Sequence, residues 1–229
     1  SLACSNVKSV FFYGSGCQGE KINTMESVLK QVFPRANNIN IEFDLLGAAR
    51  ALLGKNAGFA AILGTGTNTC VYDGSKITEH IDSLGFLLGD VGSGAAIGKK
   101  ILCDYLRNKM PFAVQELFRQ KYKQSNEELL DQAYETNQPN RYCASFTRFL
   151  DLQGVRKPYG EELVKEAFDL FFRNLVSMYP NYNQYEFNCI GSIGHTFKDI
   201  LADTAKKYQM KVGKIIPSII ISLAAYHEY

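Results

Sequence analysis

Glycine is distributed unevenly along this chain: nine of its 19 glycines fall between Gly58 and Gly98. Glycine inside a helix or strand costs about 0.5–1 kcal/mol relative to alanine. A run this dense therefore marks turns at which backbone must approach something closely. It divides into Gly64-Thr-Gly-Thr-Asn68, an Asp73-Gly74 turn, and Gly89-Asp-Val-Gly-Ser-Gly94. Phe59 to Leu63 reads as an apolar strand before the first of these, Thr69 to Tyr72 as a second strand after it, and Ile77 onward as a third. Strands joined by short Gly/Asp turns form an antiparallel meander. A Rossmann or Walker loop instead runs directly from strand into helix. A helix is expected from Ala95 to Leu106.

Upstream of the glycines the order is strand, helix, strand, helix. Residues 8–13 are β-branched and aromatic and stop at Gly14-Ser15-Gly16. Ile22, Met25, Val28, Leu29 and Val32 then repeat at helical spacing as far as Pro34. Ile39 to Phe43 alternates as a strand, Asp44 stands at its end, and Leu45 to Leu53 is an Ala/Leu-rich helix closed by Gly54. This order indicates an α/β layer. Residues 112–180 read as mostly helical, with a strong amphipathic helix expected over Glu161–Met178 and its apolar side formed by Leu163, Val164, Ala167, Phe168, Phe171, Leu175 and Met178. Phe187 to Ile190 reads as a strand ending in Gly191-Ser-Ile-Gly194, Thr196 to Gln209 as a helix, and the stretch from Ile215 as apolar with a short terminal helix. The best domain boundary falls near residue 57, dividing the chain into 1–56 and 57–229.

Composition narrows the function classes. With 25 basic against 23 acidic residues the net charge is +2, which gives no general electrostatic reason to expect nucleic acid or an anionic membrane as partner. No apolar run approaches the roughly 20 residues of a spanning helix. The six cysteines (Cys4, Cys17, Cys70, Cys103, Cys143, Cys189) are widely spaced with no CxxC pair, and are expected as reduced thiols in a cytoplasmic protein. His80, His195 and His227 show no metal-ligand spacing, so no protein-held metal site is expected.

Three segments carry candidate chemistry. Gly64-Thr-Gly-Thr-Asn68 offers backbone amides, hydroxyls and an amide side chain without charge, suited to cradling phosphoryl groups; a hairpin that uses Gly and Asn for their dihedrals fits as well. Asp90, between glycines, can accept from a hydroxyl or meet hydrated magnesium, while Asp90 or Ser93 can equally cap the helix that follows. Asp44 lies where a strand ends and a helix begins, the usual place for active-site residues in open α/β sheets, and a capping aspartate fits that place too.

Taken in order, FDLLGAARALLG (43–54), AAILGTGTNTCVYDG (60–74), LGFLLGDVGSGAAIGKKIL (84–102) and FNCIGSIG (187–194) resemble the actin-like ATPase superfold. Within it they are most similar to the BadF/BadG/BcrA/BcrD ATPase family, on the branch that contains N-acetylglucosamine kinase. The resemblance implies a two-lobed α/β fold with a ribonuclease H-like motif. Residues 1–56 would then be the remainder of an N-terminal lobe, and residues 57–229 a C-terminal lobe with the second phosphate motif and the adenosine motif.

It further implies that Asp44 is the catalytic base and that Gly64, Thr65, Gly66 and Thr67 face the nucleotide phosphates. Gly191, Ser192 and Gly194 would receive the adenosine, and Asn68, Asp90 and Ser93 the sugar. The implied activity is ATP-dependent phosphorylation of an amino sugar with Mg2+ as cofactor. The implied partner is a small-molecule sugar, and dimers are common for such kinases. The family's first phosphate motif, an Asp-x-Gly-x-Thr-Lys hairpin, is absent, which suggests a start some tens of residues into the natural protein. Val91 stands where a glutamate is usual, and Phe86 where tryptophan is frequent; both bear on which sugar is taken. The same fold also serves ATPase activators of reductases, which share an iron–sulfur cluster between subunits, and non-catalytic sugar or nucleotide sensors.

Overall fold

The computed structural model describes residues 6–17 and 19–228, which leaves Cys4 outside the described residues. The chain opens with β1 (Ser9–Gly14), α1 (Glu20–Val32) and β2 (Asn38–Phe43). The two strands pair in parallel from Ser9 opposite Asn38 to Gly14 opposite Phe43, with α1 as the crossover. The helix α2 (Asp44–Leu53) follows β2 without a loop and stops at Gly54, whose φ is 64°.

A second sheet begins with the meander β3 (Gly58–Leu63), β4 (Thr67–Tyr72) and β5 (Ile77–His80). After α3 (Gly85–Leu88) come α4 (Gly94–Leu106), α5 (Phe112–Tyr122), α6 (Asn126–Glu135) and α7 (Pro139–Ser145). A 3-10 segment over Phe146–Asp151 and α8 (Glu161–Asn174) lead to β6 (Glu186–Ile190). The chain then forms α9 (Ser192–Thr196), α10 (Lys198–Lys207), β7 (Lys211–Ile216) and α11 (Ile220–His227). The sheet order is β5-β4-β3-β6-β7, with β3, β6 and β7 parallel and β4 and β5 antiparallel.

Side chains alternate across this sheet with the period of two that a strand imposes. Phe59, Ala61 and Leu63 of β3 and Phe187 and Cys189 of β6 face Ile97, Ile101, Phe168, Phe171 and Phe172 of α4 and α8. Ala60, Cys70, Tyr72 and Ile190 point the other way, onto Leu45, Ala48, Ala49 and Leu52 of α2. The sheet is thus covered on both faces, as its near-continuous apolar strands require. Burial pushes the Cys70 thiol up to about 12 and raises those of Cys143 and Cys189. Among the described residues no helix is long and apolar enough to cross a membrane.

Two expectations need correction. The helix expected over Glu161–Met178 ends at Asn174; Leu175 leaves helical geometry at φ −127°, ψ −62°, and Met178 is 63% exposed, outside the apolar face. The reason is Tyr179, which must turn inward. It is buried, its hydroxyl donates to the Thr69 carbonyl at 2.8 Å, and it accepts from the Ile81 amide at 2.9 Å. The chain from Thr196 to Gln209 is likewise not one helix, because it breaks at Phe197 between α9 and α10. The strand β7 had no counterpart in the sequence reading. Lys211, Gly213 and Lys214 interrupt its apolar pattern, as suits an edge strand.

One close approach fixes the position of α7. A Cβ on Gly98, in the middle of α4, would lie 1.8 Å from the Cys143 carbonyl oxygen of α7. In an open helix Gly→Ala stabilises by roughly 1 kcal/mol through propensity. Here the obstacle is backbone, so Gly98→Ala should destabilise by about 1–3 kcal/mol, the range for overpacked cores. Urea unfolding checks this; a raised midpoint would contradict it.

Candidate active site

The carboxyl ends of the central parallel strands β3 and β6 lie side by side, and open α/β sheets bind ligands at that edge. The turn of residues 64–66 leaves β3, and Gly191 leaves β6. They touch through backbone: a Cβ on Gly191, at φ 129°, would sit 2.3 Å from the Leu63 carbonyl oxygen. Only glycine fits there. The turn is closed by the Gly64 amide donating to the Gly66 carbonyl at 3.0 Å. Among the described residues the amides of Thr65 and Gly66 have no hydrogen-bond partner.

The Gly89–Gly94 segment wraps beneath this turn. The amides of Gly94 and Ala95 donate to the Gly64 and Thr65 carbonyls at 2.8 and 3.0 Å. Asp90, buried and at φ 51°, accepts from the Thr67 amide at 3.0 Å, and the Thr67 hydroxyl donates to the Val91 carbonyl at 3.0 Å. Ser93 is fully buried and caps α4, its hydroxyl accepting from the Ala96 amide at 3.1 Å. Both readings of this segment at the sequence level are thereby sharpened: the cap is Ser93, and Asp90 is the tie between the two glycine segments. Asn68 belongs to β4, and its Oδ1 meets the Thr69 amide at 3.1 Å and His80 Nε2 at 2.8 Å.

A cavity of about 240 Å3 opens at this edge, lined by Gly64, Thr65, Gly94, Ser192 and Ile193 together with Arg141, Ala144, Ser145, Thr147 and Arg148. Of the residues singled out from sequence, it unites Gly64 and Thr65 with Ser192. Thr67, Asn68, Asp90 and Ser93 do not line it. Gly194 is buried behind it, where a Cβ would lie 2.8 Å from Cys189 Sγ. The residues of α7 and the 3-10 segment were missed by sequence reasoning. The available signal was the seven-residue spacing of Arg141 and Arg148, about two helical turns, just after the Pro139 break. A larger cavity of about 460 Å3 lies at the amino ends of the same strands, beside Asn56, Gly58, Glu186 and Gly213. That edge is not where parallel strands receive ligands.

Asp44 is half-buried at the first position of α2, and Phe43, with extended φ −80° and ψ 156°, holds the capping position instead. Burial raises the Asp44 carboxyl above the usual aspartate range, opposed by the amides of Leu45 and of Asp44 itself and by the Ser15 hydroxyl. A carboxyl placed this way at a strand end can orient a hydroxyl and accept its proton. Among the described residues no group of three or more His, Cys, Asp or Glu side chains could hold a metal ion.

No family model matches the chain, and no curated protein matches it. Solved structures do. A Porphyromonas gingivalis protein provisionally named an N-acetylglucosamine kinase superposes with a TM-score of 0.90 and 33% identity, over 99% of this chain and 79% of that one. A Chromobacterium violaceum protein with the same provisional name gives a TM-score of 0.65 at 13% identity, over 91% of this chain and 73% of that one. The second likeness shows fold alone, whereas identity of 33% along nearly the whole chain shows kinship. The chain has the actin-like ATPase and sugar-kinase fold and belongs to the family represented by the Porphyromonas gingivalis protein.

Proposed function

We propose that the protein is an ATP-dependent sugar kinase of the N-acetylglucosamine kinase type, on a branch of the BadF/BadG/BcrA/BcrD ATPase family. The observation that carries the reading is the meeting of Gly64 and Thr65 with Ser192 around one cavity, at the carboxyl ends of β3 and β6. In this reading the unpartnered amides of Thr65 and Gly66 receive phosphate oxygens, and Ser192, with Gly191 and Gly194 behind it, borders the adenosine. Thr67 acts by shaping the turn, through its bonds to Asp90 and Val91.

Asn68, Asp90 and Ser93 are assigned to the sugar side, with Asp90 and Ser93 acting chiefly by holding the loop that forms it. Asp44 orients the sugar hydroxyl and takes its proton as the γ-phosphoryl group transfers. Phosphoryl transfer needs little covalent help from the protein, so positioning and electrostatics supply most of the acceleration. Magnesium carried on the nucleotide would neutralise charge developing between the β- and γ-phosphates. Two lobes closing on the sugar would exclude water from the transfer. Among the described residues Cys17, Cys70, Cys143 and Cys189 are buried and Cys103 is half-buried, which gives the reductase-activator reading little to use. Cytoplasmic location and a homodimeric state go with the kinase reading.

A coupled ADP-release assay over hexoses and acetamido-hexoses tests the substrate class. Turnover should require a sugar and be fastest with N-acetylglucosamine; sugar-independent ATPase activity would overturn the reading. Loss of a general base lowers rate by about 10²–10⁴-fold, so Asp44→Asn should reduce kcat by that order with ADP affinity retained. Wild-type kcat in this variant would reduce Asp44 to a structural residue. Asp44 must be ionised to accept a proton, and burial raises its pKa. The acid limb of kcat/KM should therefore lie above the usual aspartate range and vanish from the residual activity of Asp44→Asn. A limb at or below that range would contradict the assignment.

A further inference from the structure

The cavity at the β3–β6 edge lacks the donor that a glycine-rich segment before a helix ordinarily supplies. The amides of Gly94 and Ala95 at the start of α4 are bonded to Gly64 and Thr65, and that of Ala96 to Ser93. The hydroxyl protons on the opposite wall are also committed, since Ser145 donates to the Tyr142 carbonyl at 2.6 Å and Thr147 to the Ala144 carbonyl at 2.8 Å. The strong donors left are two guanidinium groups, Arg141 and Arg148, both exposed at the cavity wall. Among the described residues neither pairs with a carboxylate. No aspartate or glutamate lines the cavity.

The wall that presents them is built to stay in place. Cys143 and Phe146, between the two arginines in sequence, and Phe149, just after them, are buried, and the Gly98–Cys143 contact sets α7 directly against α4. An arginine fork matches the oxygens of a phosphate and binds them bidentately with specificity that lysine lacks. Two arginines without carboxylate partners, lining one cavity with Gly64 and Thr65, suit a multiply charged anion.

We propose that Arg141 and Arg148 grip the phosphates of a nucleoside diphosphate or triphosphate seated in this cavity, supplying the positive charge that the Gly64–Gly66 turn lacks. The proposal rests on the kinase reading above. It makes the two arginines binding residues for the nucleotide's charge, beside the Thr65 amide, while Ser192 borders its uncharged adenosine.

Calorimetric titration of ADP and of adenosine into the wild-type chain and into Arg141→Gln, Arg148→Gln and the double variant tests it. Hydrogen bonds to charged groups are individually strong, so each single change should weaken ADP binding about 10-fold and the double change about 100-fold. Adenosine affinity should be unchanged, and the salt dependence of ADP binding should flatten in the double variant. Both side chains are exposed, and thermal melts of the variants should overlay the wild type. Equal losses for ADP and adenosine, or no loss of ADP binding, would overturn the assignment of the arginines alone. Failure of the wild type to bind ADP would overturn the kinase reading and the proposal together.

Discussion

The start of α4 is the joint on which the site depends. A helix leaves its first amides without intrahelical partners, and here each finds one outside the helix: Gly94 on Gly64, Ala95 on Thr65 and Ala96 on the Ser93 hydroxyl. The same bonds that complete the helix hold the 64–66 turn against it. Asp90 adds a third tie through the Thr67 amide. The turn is therefore fixed from below by α4 and from the side by Gly191, whose backbone lies against Leu63. Among the described residues its amides on Thr65 and Gly66 have no hydrogen-bond partner.

This joint differs in kind from a phosphate loop that runs directly into a helix. There the helix amides meet the phosphates; here they are consumed in building the loop. On the proposed kinase reading, the charge of a phosphate here would be met from elsewhere, by the arginines that α7 and the 3-10 segment bring to the cavity. It also explains why the meander matters. The strands β3 and β4 present the turn, β5 leads into the segment that returns beneath it, and Tyr179 clamps that segment by bonding both Thr69 and Ile81.

Much of this was legible in the sequence because it rests on local rules. Short apolar runs bounded by glycine-rich turns placed β3 and β4, the glycine and hydroxyl spacing marked the turn, and Asp44 stood at a strand-to-helix junction, where the structure places it. What was not legible rests on contacts distant in the chain. The commitment of Thr67 to Asp90 and Val91 could not be read from a GTGT string. The strand β7 is an edge whose lysines and glycine hide its period, and it is held by pairing with β6. The end of α8 at Asn174 follows from the partners of Tyr179 more than 90 residues away. Arg141 and Arg148 sit in ordinary helical sequence, and only the packing of α7 on Gly98 shows which cavity they reach.

Hydrogen exchange with and without ADP tests most directly whether the β3–β6 edge is the nucleotide site. Added protection is expected at residues 64–66, 141–148 and 191–193, with no change around the larger cavity beside Asn56, Gly58 and Gly213. Protection confined to that opposite edge, or absent from the 64–66 turn while ADP is bound, would contradict it.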